Sequence, residues 1–149
     1  MSTTPKHDIR NRADIDELML RFYSRALADD KIGFIFTDVA KLDLDHHLPV
    51  IGDFWETIVF QTGTYARHGR NPLMVHGELA SKTPLLPEHF QRWLTIFRET
   101  TDELFAGERA DFIKMRALAI ASRMQQYVSD VAKPTTSPQR AAEARPDFR

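Results

Sequence analysis

The sequence predicts an all-α fold, and three observations carry that prediction. Apolar residues recur at steps of three and four in four long segments. No segment alternates apolar and polar residues for long. No Asn-Gly or Asp-Gly pair marks a hairpin turn.

The first helix is expected over 14–28, where Ile15, Leu18, Met19, Phe22 and Ala26 share one face and Asp14 stands as a cap. Gly33 and the cluster Phe34, Ile35, Phe36 follow as a turn. A second helix is expected over about 44–62, with Ile51, Phe54, Trp55 and Val59 as its stripe and Gly63 as its stop. Pro49 lies inside it and cannot donate to the carbonyl four residues back, so the helix is expected to start near His46 or to bend there. Pro72 opens a short helical turn over 73–76 that Gly77 closes, and 78–86 reads as irregular. Pro87 and Glu88 begin a helix over 87–105, facing inward with Phe90, Trp93, Leu94, Phe97 and Leu104. The last helix is expected over about 109–130, with Phe112, Met115, Ala119, Met124 and Tyr127 as its face. The ends, 1–11 and 131–149, carry little to bury and read as flexible tails, leaving 12–130 as one folded domain.

Composition narrows the chemistry. The 149 residues carry 20 Lys and Arg against 21 Asp and Glu, a net charge of −1 that argues against nucleic acid or an acidic membrane as partner. Cysteine is absent, which removes disulfides, thiolate catalysis, Cys-type zinc sites, iron–sulfur clusters and thioether attachment of haem. A metal, if held, takes its nitrogen from the six histidines. No signal peptide or membrane-spanning run is visible, and a cysteine-free chain suits a reducing compartment, so the cytoplasm is the expected location. There is no phosphate-binding glycine loop and no His-Glu-x-x-His pattern. Asp43, Asp45 and His47 are close in sequence, but the middle residue leaves the helical face of the other two, and acids at a helix start serve capping.

Two histidines stand out. His47, Ile51 and Trp55 follow at steps of four, which puts His47 on the buried stripe of its helix. His76 sits on a short turn flanked by Leu73, Met74 and Val75. A buried imidazole costs desolvation unless its nitrogens are used. Taken singly, each could be a core histidine bonded to a carbonyl, and Trp55 and Trp93 could be plain core residues.

Their order says more. The segments Arg-Phe-Tyr at 21–23, Phe-Ile-Phe at 34–36, His-Leu-Pro-Val-Ile-Gly-Asp-Phe-Trp at 47–55, Pro-Leu-Met-Val-His at 72–76 and Phe-Gln-Arg-Trp-Leu at 90–94 occur in sequence at compatible distances. Together they resemble the truncated haemoglobins, specifically group III, over nearly all of 12–130. The six glycines include no Gly-Gly pair, unlike groups I and II, and a distal histidine also favours group III.

The resemblance implies a truncated globin-like sandwich of two helices over two, enclosing haem b (iron protoporphyrin IX). It matches His76 to the proximal iron ligand and Phe36 to the aromatic that packs on the macrocycle. It places Tyr23, His47 and Trp93 on the distal side, walled by Ile51 and Trp55. A phenol O–H and an indole N–H there can donate to polarised oxygen, which implies slow oxygen release; CO, being less polar, gains less. Arg67 and Arg70 are the first candidates for the propionates, with Arg92 a third. The function implied is reversible binding of O2, NO, CO or similar small ligands. The alternative is a haem enzyme of nitric oxide dioxygenation or peroxidase-like chemistry, which needs a separate reductase because the chain has no flavin or nicotinamide motif. A third possibility is a helical interaction protein without haem.

Overall fold

The computed structural model describes residues 5–62 and 85–132. Among these the secondary structure is helical throughout: α1 (Arg12–Ala28), a π-helical turn (Ile35–Val39), α2 (Leu44–Phe60), α3 (Pro87–Leu104) and α4 (Glu108–Ala132). Helix α1 packs on α2 and α3, α3 packs on α4, and α2 reaches α4, so two helices lie over two.

Helix α1 buries Ile15, Leu18, Met19, Phe22, Tyr23 and Ala26, the face the periodicity predicts with Tyr23 added. Its cap is Asn11, not Asp14: the Asn11 side chain accepts from the Asp14 backbone N–H at 3.1 Å. Asp14 turns back to accept from the Arg10 backbone N–H at 2.9 Å.

Residues 6–11 do not form the flexible tail expected of 1–11. Ile9 is fully buried. Asp8 reaches the start of α4, where its carboxylate accepts from the backbone N–H groups of Arg109 and Ala110, both at 2.9 Å. The first N–H groups of a helix lack partners within it, so a distant residue is capping α4. Gly107 makes room: a Cβ there would lie 2.5 Å from Asp8. A single buried isoleucine among polar residues gave no periodic signal, which is why the segment read as a tail.

Pro49 does not delay α2. The helix begins at Leu44, capped by Asp43, and continues through Pro49 rather than starting near His46. The proline lies early in the helix, so one backbone bond is lost and the turns on either side persist. Its carbonyl accepts from Arg12 Nη2 at 3.2 Å. Arg12 also donates to Asp53 at 2.6 Å, Glu56 at 3.1 Å and Asp16 at 2.8 Å, tying α1 to α2. The helix stops at Gln61, which takes the left-handed conformation (φ 58°), two residues before the stop expected at Gly63. Gly63, the turn over 73–76 and the tail beyond 132 lie outside the described residues.

Helix α3 starts with Pro87 as its first residue, as expected, and buries Phe90 and Phe97. Helix α4 corrects the sequence reading. Phe112 and Met115, expected on its inner face, are exposed at 37% and 58%. The buried positions are Ala110, Ile113, Ala117, Ala121 and Val128. Small residues let α4 approach α3 closely, and a search for large apolar side chains overlooks them.

Candidate functional site

The centre of the fold is aromatic. Phe97 is fully buried. Trp93 stacks on it with ring centroids 5.4 Å apart, Trp55 lies 5.1 Å away, and Phe22 meets it edge-on at 5.3 Å. Phe22 also meets Trp93 at 5.7 Å and Tyr23 at 5.0 Å, so α1 links the two sequence-predicted donors through one ring.

Tyr23 and His47 come together directly. His47 Nε2 and Tyr23 Oη are 3.1 Å apart, and their rings meet edge-on at 5.1 Å. In one imidazole tautomer Nε2–H donates to the phenol oxygen; in the other the phenol O–H donates to Nε2. Burial raises the Tyr23 pKa well above that of a free phenol, so the hydroxyl keeps its proton. Phe36 stands on the other side of Tyr23, edge-on at 5.9 Å. His46, one residue before His47, is exposed, as its helical position predicts.

Beside these residues opens a narrow apolar cleft of about 60 Å³, walled by Ile32, Ile35, Phe36, Phe90, Trp93 and Met124. His89 also lines it, with Nδ1 accepting from the Leu86 backbone N–H at 3.0 Å. A second cleft, of about 370 Å³, lies between α2 and α4, and Met124 borders both. A flat apolar group wedged among aromatic rings suits this lining, while a hydrated metal ion does not. No group of three His, Asp or Glu able to hold a metal ion occurs among the described residues. Asp43 instead spends its carboxylate on the helix cap.

The structure brings together Tyr23, His47 and Phe36, and puts Trp93 with Phe36 in the wall of one cleft. Ile51 and Trp55 pack in the same core, Trp55 fully inside and Ile51 half-buried. His76, Arg67 and Arg70 lie outside the described residues. Arg92, the third propionate candidate, pairs with Asp29 at 2.8 Å. Sequence reasoning missed Ile32, Ile35, His89 and Met124 as lining residues. His89 was within reach, since it precedes Trp93 by one helical turn.

Fold and cleft define a two-over-two helical protein built around an aromatic, apolar-lined site beside a part-buried Tyr–His pair. No protein-family model matches the chain. The group 3 truncated haemoglobin ctb of Campylobacter jejuni is 30% identical over 126 residues, spanning 83% of this chain and 94% of that protein. The crystal structure of group III truncated haemoglobin from Campylobacter jejuni matches with a TM-score of 0.71 at 29% identity, over 83% of this chain and 94% of that one. The chain belongs to the group III truncated haemoglobins. Membership implies a haem cofactor, and the lining of the cleft fits one. No helix among the described residues is long and apolar enough to cross a membrane.

Proposed function

We propose that this chain binds oxygen and other diatomic ligands reversibly, using haem b held within the clefts around Phe36 and Trp93. The observation that carries the reading is the Tyr23–His47 hydrogen bond of 3.1 Å, with Phe36 of the cleft wall edge-on to Tyr23. When bound, the haem supplies a ferrous iron with an open position for a small ligand. His76 is the proposed proximal ligand, and Arg67 and Arg70 are the proposed propionate partners.

The chain's own residues set how long a ligand stays. Tyr23 keeps its proton, so its O–H is a permanent donor. When His47 Nε2–H donates to the phenol oxygen, the phenol proton is released toward the ligand. When Nδ1 carries the imidazole proton, that phenol proton is held by His47 instead. The tautomer of His47 therefore decides whether Tyr23 serves the ligand. Trp93 contributes an indole N–H at the cleft wall, and Ile51 and Trp55 exclude water. A hydrogen bond to a charged acceptor is worth roughly 1.5–3 kcal/mol, or about 10- to 150-fold in lifetime if it all appears in dissociation.

Stopped-flow oxygen release tests this. Tyr23→Phe is expected to speed release by about tenfold or more. An unchanged rate would remove Tyr23 from the account.

A second reading, nitric oxide dioxygenation or peroxidase-like chemistry with an external reductase, draws on the same Tyr–His pair, which can pass a proton. Turnover with nitric oxide and an electron-donating reductase separates it from simple binding. We take 6–132 as the globin unit, wider than 12–130 because residues 6–11 dock onto α3 and α4. The cysteine-free chain favours the cytoplasm as its setting.

A further inference from the structure

We propose that the Asp29–Arg92 ion pair is a positioning device that sets where the Trp93 indole stands in the ligand cleft. The inference rests on the reading of Trp93 as a ligand-facing residue.

Asp29 is a joint with every carboxylate lobe in use. Its side chain is only 8% exposed. Oδ1 accepts from Arg92 Nε at 2.9 Å and from Arg92 Nη2 at 2.8 Å. Oδ2 accepts from the backbone N–H groups of Lys31 at 3.0 Å and Ile32 at 3.2 Å. Its backbone carbonyl accepts from Gly33 N–H at 2.9 Å. One residue thus joins three walls of the site. It caps the end of α1, the helix that carries Tyr23. It fixes the start of the segment bearing Ile32, Ile35 and Phe36. Through Arg92 it holds α3 beside Trp93.

Trp93 needs such a hold. Phe97 stacks on one face of the indole and Phe22 meets it edge-on. Both are hydrocarbon contacts, which resist separation but only weakly resist sliding. A charged fork on a carboxylate is directional and fixes orientation as well as distance. The adjacent fork therefore sets the sliding coordinate of α3 against α1. The Arg12–Asp53 pair, with a carboxylate 10% exposed, ties α1 to α2 and not to α3, while other pairs on α3, Lys114–Asp102 and Arg25–Glu103, use carboxylates that are 60% and 50% exposed. Such exposed pairs contribute little.

The test uses the full-length, haem-loaded protein. Arg92→Met keeps the aliphatic stem and removes the fork; Arg92→Lys keeps the charge; Asp102→Asn breaks an exposed pair as a control. The readouts are the indole 15N–1H resonances of Trp93 and Trp55, the C–O stretching frequency of the CO-loaded protein, and oxygen release. Arg92→Met is expected to move the Trp93 resonance but not that of Trp55, to shift the C–O stretch, and to change oxygen release roughly 3- to 10-fold. Arg92→Lys restores part of each, and Asp102→Asn changes none. If Arg92→Met lowers the melting temperature yet leaves the Trp93 resonance, the C–O stretch and oxygen release at wild-type values, the pair is merely structural and the proposal is overturned. Should Arg92→Met not fold, Arg92→Lys is scored on the same readouts against wild type. If the wild type shows no Soret band, the haem reading fails, while the Trp93 resonance still decides whether the pair positions the ring.

Discussion

His47 and Tyr23 are best treated as one unit. Each is the other's hydrogen-bond partner at 3.1 Å, so neither can be replaced without changing what the other does. Tyr23→Phe removes a donor, and His47→Leu removes the group that directs it. A double-mutant cycle on oxygen release is therefore expected to be non-additive, with a coupling of roughly 0.5–3 kcal/mol. Strict additivity would mean that the two act on the ligand independently. The two residues were legible in the sequence because each sits in a local motif. Their hydrogen bond was not, because it depends on how α1 crosses α2, and the Arg12 network across that crossing joins residues 37 to 44 positions apart. The same holds for Asp29 and Arg92, separated by 63 positions.

Periodicity located the four described α-helices to within a few residues, because amphipathic faces are local patterns. It failed where the governing contact is remote. Helix α4 illustrates this: its packing depends on Ala117 and Ala121, whose small size matters only once α3 is known to lie against them. Two substitutions with opposite outcomes test the corrected face. Ala117→Leu overfills a site with no exposure and is expected to cost about 1–3 kcal/mol. Met115→Ala, at a position 58% exposed, is expected to fall within about 0.5 kcal/mol of wild type in urea unfolding. The reverse order would restore the face through Phe112 and Met115. The π-helical turn at Ile35–Val39 also escaped the sequence reading, which placed only a turn at Phe34, Ile35 and Phe36.

The whole molecule carries a pH dependence through two half-buried acids, Asp8 and Asp29. Burial alone would raise the Asp8 pKa, but N–H donation from Arg109, Ala110 and Ile9 holds it below the ordinary 3.8. The Arg92 fork lowers the Asp29 pKa, assisted by the Lys31 and Ile32 N–H groups. A carboxylate with a lowered folded-state pKa adds stability that is present above its unfolded pKa and disappears as pH falls through the folded value. Both contributions are therefore complete at neutral pH and decline below about pH 4. Asp8→Asn is expected to lower the melting temperature at neutral pH, with the gap to wild type narrowing as pH drops below about 4. A gap that stays constant with pH would separate the cap from its charge.

At this scale the proposed function comes down to an iron porphyrin enclosed by the aromatic interior, with the imidazole at position 76 as its proposed ligand. Spectrophotometric titration of the purified chain with haemin, run in parallel on His76→Ala, tests it most directly. The account predicts an intense Soret band that saturates at one haem per chain and is lost or severely weakened in the variant. A wild-type chain that develops no Soret band, or a variant that binds haemin as the wild type does, would contradict it.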